Sequence, residues 1–219
     1  MIKGVIFDVD GVLIDSMIIW KDLGVRYLRS LGVEPEEGLS AILFSMSMEQ
    51  GAEYLQKKFN LEKTPEQIFQ DMKDLLEDFY FNQAKAKSGT LEVAEFLKSK
   101  GVRMTVATSS PELHVTRALD RNGLMDYVEK VFTVAEIGVS KHKPDIFIKA
   151  AEYMNAEIGE TIVFEDSFYA LETAAKAGFV SVGVYDEFGE SNQEAMKETA
   201  QIYVKEMKEF IDFWDTINK

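Results

Sequence analysis

The segment Val5-Ile6-Phe7-Asp8-Val9-Asp10-Gly11-Val12 decides the fold. An apolar run short enough for a strand goes straight into two carboxylates spaced by one residue, and Gly11 lets the chain turn sharply after them. The same pattern recurs along the chain. Residues 102–107, 131–132, 161–164, 180–184 and 202–204 are short, apolar and β-branched, and they end at polar or small residues. Between them, residues 91–100, 112–122, 145–154 and 169–177 carry helical periodicity. Gly101, Gly123 and Gly178 fall where those helices should stop, and Pro144 suits the first turn of the helix that follows it. Strands alternating with helices give βαβ units, a parallel sheet and an α/β fold.

One interval breaks the alternation. From Ser16 onward the pattern is almost wholly helical, with amphipathic stretches at 20–31, 48–59 and 66–81, the last opening after Thr64-Pro65. This reading divides the chain into residues 1–15 with 86–219 as the α/β part, and 16–85 as a helical insert. Trp20, Phe44, Met46 and Met48 in the insert either line a partly apolar pocket or, the preferred reading, pack as ordinary helical core. Tyr80 and Phe81 are open to the same two readings.

Composition narrows the chemistry. With no cysteine, thiolate metal sites, cysteine nucleophiles and disulfides are excluded. The two histidines, His114 and His142, are too few for a histidine-rich zinc site. Carboxylates, hydroxyls and lysines are left. A net charge of −14 argues against nucleic acid and anionic membrane as partners. No apolar stretch is long enough to span a bilayer and the N-terminus lacks a signal-peptide pattern, so the expected location is cytoplasmic.

Four places along the chain carry polar groups where a parallel sheet or a helix start would use them. Asp8 and Asp10 follow the first strand. Thr108, Ser109 and Ser110 follow the second. Lys141 and Lys143 precede the helix that begins after Pro144, and Glu165-Asp166-Ser167 end a buried-looking strand. Taken alone, the acid and hydroxyl segments read first as turns or helix caps, and the two lysines as solvated surface charges. Together they place ligands at the carboxyl ends of neighbouring strands, where open α/β sheets bind them. Paired carboxylates can divide nucleophilic and proton-transfer roles. Hydroxyls and backbone amides can hold phosphate oxygens, and carboxylates suit Mg²⁺.

In this order the segments resemble the four motifs of the haloacid dehalogenase-like phosphatase superfamily, and most closely its β-phosphoglucomutase-like phosphatase branch. Residues 8–16, Asp-Val-Asp-Gly-Val-Leu-Ile-Asp-Ser, match the first motif. Thr108 matches the second, Lys141 within Lys-X-X-Pro-Asp the third, and Glu165-Asp166-Ser167 the fourth. The resemblance covers nearly the whole chain. It implies a Rossmann-like parallel sheet core flanked by helices, with an inserted all-helical cap. It implies Asp8 as nucleophile through an aspartyl-phosphate, and Asp10 as acid and base. Thr108, Ser109 and Lys141 would bind phosphate, with Lys143 the less favoured lysine. Mg²⁺ would be held by Asp8, the Asp10 main-chain carbonyl, Asp166 and Glu165. The expected partner is a small phosphorylated metabolite, and the expected state a monomer or weak dimer.

The acid at position 10 separates this chain from the carbon–halogen hydrolases that it otherwise resembles, because halide leaves without a proton. A sugar-phosphate mutase is the nearest alternative. Such relatives carry a histidine soon after the first motif and an arginine in the cap, where this chain has Trp20 and the arginine-free stretch 45–50. A non-catalytic phosphate-binding module is the third reading, and the presence of Asp8, Asp10 and Asp166 weighs against it.

Overall fold

The computed structural model describes residues 1–218. The chain forms two compact units, one of residues 1–15 with 84 onward, the other Ser16–Gln83.

The first unit is built on a six-stranded, all-parallel sheet: β1 (Gly4–Phe7), β2 (Arg103–Thr108), β3 (Val131–Thr133), β4 (Thr161–Glu165), β5 (Val180–Val184) and β6 (Ile202–Val204), in the spatial order β3-β2-β1-β4-β5-β6. This bears out the α/β class. The central strand is buried along its whole length, as expected of a parallel sheet covered on both faces. Side-chain alternation divides the core. Ile6, Ala107 and Val163 pack with Phe147, Ala150, Ala174 and Phe179 on one face. On the other, Phe7 and Phe164 stack at 4.8 Å and Phe164 meets Phe210 edge-on at 4.8 Å.

Register positions the chemistry. Phe7 pairs with Val106 of β2 and with Phe164 of β4. Asp8, Thr108, Glu165 and Asp166 therefore leave the sheet at one edge, where strand order reverses around β1.

In the second unit, helices α1 (Met17–Ser30), α2 (Leu39–Phe44), α3 (Met48–Phe59) and α4 (Pro65–Asp78) are followed by one π-helical turn, Phe79–Gln83. Ser47 with Gln50, and Thr64 with Gln67, form reciprocal capping boxes that fix where α3 and α4 begin. Leu23, Leu28, Leu55, Ile68 and Leu76 form the buried interior. The preferred reading of Trp20, Phe44, Met46 and Met48 as plain core is corrected here. Phe44 is 51% exposed, and all four border a cavity of about 300 Å³ within this unit. The indole N–H of Trp20 donates to the buried Tyr80 hydroxyl at 3.0 Å.

The α/β unit continues with α5 (Thr90–Ser99), α6 (Glu112–Arg121), the single turn α7 (Val134–Ile137), α8 (Asp145–Tyr153), α9 (Phe168–Ala177), α10 (Gln193–Thr199) and α11 (Phe210–Ile217). The connections that flank residues 16–83 meet as a short antiparallel ribbon. The Asp15 amide donates to the Lys85 carbonyl, the Lys87 amide donates to the Leu13 carbonyl (both 2.9 Å), and Ile14 bridges to Ala86.

Candidate active site

Asp8 is the first residue beyond β1, its amide donating to the Phe164 carbonyl at 3.0 Å. The chain then turns through Gly11 at φ +80°, and the Val9 carbonyl accepts from the amides of Leu13 and Ile14. At the end of β2, the fully buried Thr108 bends the backbone: its hydroxyl accepts from the Ser110 amide at 3.0 Å. That bend turns Ser110 toward β1, where its hydroxyl donates to Asp10 Oδ2 at 2.6 Å. Thr108 is thus not the cap of α6, which starts from Pro111. Ser109 is exposed.

Of the two lysines before α8, Lys141 is 2% exposed and Lys143 faces solvent. Lys141 Nζ donates to Asp8 Oδ1 and, at 2.7 Å, to Glu165 Oε1. The other Glu165 oxygen accepts from the Ser167 hydroxyl at 3.0 Å. Asp166 follows, 5% exposed. Carboxylate oxygens of Asp8, Glu165 and Asp166 lie within 4.8 Å of one another. The Asp10 carboxylate, half-buried and held by Ser110, is not one of that group of three.

One ammonium cannot balance three buried carboxylates. Burial, above all, pushes the Asp8 carboxyl up to about 7. Glu165 and Asp10 add to the rise, while Lys141 opposes it. Burial likewise holds Asp166 well above the usual carboxylate range, reinforced by Asp8, Glu165 and Asp186. Burial alone would lower the Lys141 ammonium; the adjoining Asp8 and Glu165 carboxylates outweigh it and hold that group above its ordinary value. An all-oxygen, charge-deficient cluster is what a hard divalent cation fits, and Asp8, Glu165 and Asp166 have the chemistry to hold one.

The sign of the pH effect follows. A carboxyl whose folded pKa is raised from 3.8 to about 7 binds its proton more tightly folded than unfolded. Its contribution to stability is complete below 3.8 and is lost as pH rises through about 7. In chelator, the melting temperature of the wild type relative to Asp8→Asn should fall between pH 5 and pH 8. Saturating Mg²⁺ should recover more stability at pH 8 than at pH 5. A pH-independent difference in thermal melts would contradict this.

Several groups at this edge have no motif that marks them in the sequence. Ser110 belonged to the hydroxyl run but had no assigned role. Asp186, 4% exposed beyond β5, and Lys87 carry no motif. Lys87 Nζ donates to the carbonyls of Gly11 and Tyr185, both at 2.6 Å, and to Asp186 Oδ2 at 2.8 Å. Tyr169 stacks on His142 with ring centroids 4.3 Å apart, a pairing visible only once the chain is folded.

Carboxylates, hydroxyls and a buried lysine thus converge at one edge of a parallel sheet. Residues 2–178 match the model of the haloacid dehalogenase-like hydrolases, and the chain belongs to that family. A phosphorylated carbohydrates phosphatase of Thermotoga maritima is 28% identical over 180 residues, spanning 80% of this chain and 82% of that protein. The β-phosphoglucomutase of Bacillus subtilis is 24% identical, covering 83% of each. Among solved structures, a candidate β-phosphoglucomutase from Thermotoga maritima superposes with a TM-score of 0.86 at 25% identity, over 98% of this chain and 99% of that one. No helix of the described residues is long and apolar enough to cross a membrane.

Proposed function

We propose that this hydrolase is a Mg²⁺-dependent phosphatase acting on a small phosphomonoester, a sugar phosphate or similar metabolite. The observation that carries the reading is the division between the two acids after β1. Asp8 lies within the carboxylate cluster against Lys141, whereas Asp10 is held separately by the Ser110 hydroxyl. Such a division suits one carboxylate to attack and the other to move protons.

In the proposed reaction an Asp8 oxygen attacks phosphorus. The bond from phosphorus to the ester oxygen breaks, and that oxygen takes a proton from Asp10. Asp10, now ionised, takes a proton from water as the water oxygen attacks phosphorus. The bond to Asp8 breaks, inorganic phosphate leaves and both acids are restored. Thr108, Ser109 and Lys141 hold the phosphate oxygens. Asp8, the Asp10 main-chain carbonyl, Asp166 and Glu165 would hold Mg²⁺, which when bound offsets the charge of the phosphate and the carboxylates. The helical unit acts as the cap, and Trp20, Met46 and Met48 around its own cavity contribute to the choice of ester.

The test is Mg²⁺-dependent release of phosphate from p-nitrophenyl phosphate and a panel of metabolite esters, against Asp8→Asn. Silence across the panel would defeat the phosphatase reading. β-Glucose 1-phosphate separates the mutase alternative: free phosphate supports a phosphatase, and glucose 6-phosphate as main product would overturn it. Asp10→Asn should lower turnover of an alkyl phosphate by about 10²–10⁴-fold. With p-nitrophenyl phosphate, whose leaving group departs without a proton, the first step should suffer less, so a burst of nitrophenol precedes slow turnover. Equal losses in the first step for both esters would remove Asp10 as the acid.

A further inference from the structure

The loop after β5, residues 185–190, touches the carboxylate cluster from outside. Its anchor is Asp186, whose Oδ1 accepts from the Phe188 amide at 2.8 Å while Oδ2 accepts from Lys87. Lys87 also ties the loop to the turn after Asp10 through the Gly11 carbonyl. At the far end of the loop, Glu190 Oε2 accepts from the amide of Phe168, the first residue of α9, at 3.2 Å. The loop is thus fastened on both sides of the segment that carries Asp166.

Between these fastenings lies Gly189. A Cβ on this residue would stand 2.7 Å from Asp166 Oδ2 and 3.2 Å from Asp186 Cβ. Gly189 is not among the glycines with positive φ, so no left-handed backbone opposes a side chain there. What a side chain would meet is the Asp166 carboxylate, and of the two neighbours that carboxylate end is the freer to move.

We propose that Gly189 is a positioning residue for a divalent-cation site. Its bare Cα forms the wall against which the Asp166 carboxylate rests, and the Lys87–Asp186 pair holds that wall in place. The proposal rests on the metal reading given above and goes beyond the motif residues. It makes the loop after β5 part of the site although the loop supplies no ligand. A methyl group at 189 displaces the Asp166 oxygen from the positions of the Asp8 and Glu165 oxygens while leaving the core intact.

The experiment is a Mn²⁺ titration of the whole protein followed by electron paramagnetic resonance, with Mg²⁺ as competitor. Thermal melts in chelator run alongside. Gly189→Ala should weaken Mn²⁺ binding about tenfold to a hundredfold, the range for groups that orient metal ligands. Its metal-free melting temperature should stay near that of the wild type, and raised Mg²⁺ should restore its kcat. Glu187→Ala, exposed on the same loop, should bind Mn²⁺ like the wild type. Lys87→Met, which releases the wall without touching Asp166, should weaken binding severalfold and supplies the test if Gly189→Ala does not fold. Mn²⁺ affinity within twofold of wild type in Gly189→Ala, or in Lys87→Met where that variant decides, would overturn the proposal. A wild type that binds no Mn²⁺ would remove the metal reading itself, and this inference with it.

Discussion

Asp8→Asn should release phosphate at least about 10⁴-fold more slowly than the wild type, the scale on which enzymes lose turnover when a covalent nucleophile is removed. Asparagine keeps the size of the side chain and an oxygen for Lys141, but its amide is a poor nucleophile toward phosphorus. The same variant should be the more stable protein at pH 8 without metal. The Asp8 carboxyl, raised by burial to about 7, is ionised there inside a site already crowded with negative charge. Asparagine removes that charge. A gain of a few degrees in melting temperature is expected, since about 1 kcal/mol moves a chain of this size by roughly 2–4 °C. Activity and stability thus move in opposite directions at one atom position. Retention of more than a hundredth of wild-type turnover would remove Asp8 as the nucleophile.

Lys141→Met should produce the largest loss of stability among the site residues. Methionine fills nearly the same volume with no charge, so the change isolates electrostatics from packing. Lys141 contacts Asp8 and Glu165 from a position 2% exposed. Without it those buried carboxylates lose their cation, and breaking such a pair costs about 3–5 kcal/mol. The melting temperature should fall by roughly 10 °C or more at pH 8. The fall should be smaller at pH 5, because Asp8, raised to about 7, is protonated there and the repulsion is relieved. Lys143→Met, two residues on and solvent-facing, should stay within about 0.5 kcal/mol of wild type. Chemical unfolding of both variants decides the matter, and equal losses would show that burial of Lys141 carries no such weight.

The sheet was legible because its strands are buried on both faces and so read as unbroken apolar runs between glycine-stopped helices. All six strands lie where those runs predicted. The short helices α2, α7 and α10 escaped because four to seven residues hold too few turns for a period to show. The π-helical turn at 79–83 has no sequence signature, and the aromatic run there reads as a continued α-helix. At the site, residue types were readable but directions were not. Which hydroxyl of Thr108-Ser109-Ser110 turns toward Asp10 depends on Thr108 capturing the Ser110 amide. That is a property of folded backbone, not of composition. The closeness of Gly189 to Asp166 arises from residues 23 positions apart brought together by β5. A glycine in a surface loop looks the same in sequence whether or not a carboxylate lies behind it.

The ribbon formed by Leu13–Asp15 and Lys85–Lys87 has a consequence for how such a chain can diversify. Because the exit and re-entry points are hydrogen-bonded neighbours, everything between them is, to the sheet, a single hairpin loop. Closing a loop grows costly only logarithmically with its length, about 0.6 kcal/mol for each doubling. A lineage can therefore enlarge, trim or replace the helical segment wholesale by recombination at two adjacent points. Asp8, Lys141 and Asp166 lie outside that exchange, so the carboxylate cluster and its lysine are inherited apart from the helical segment.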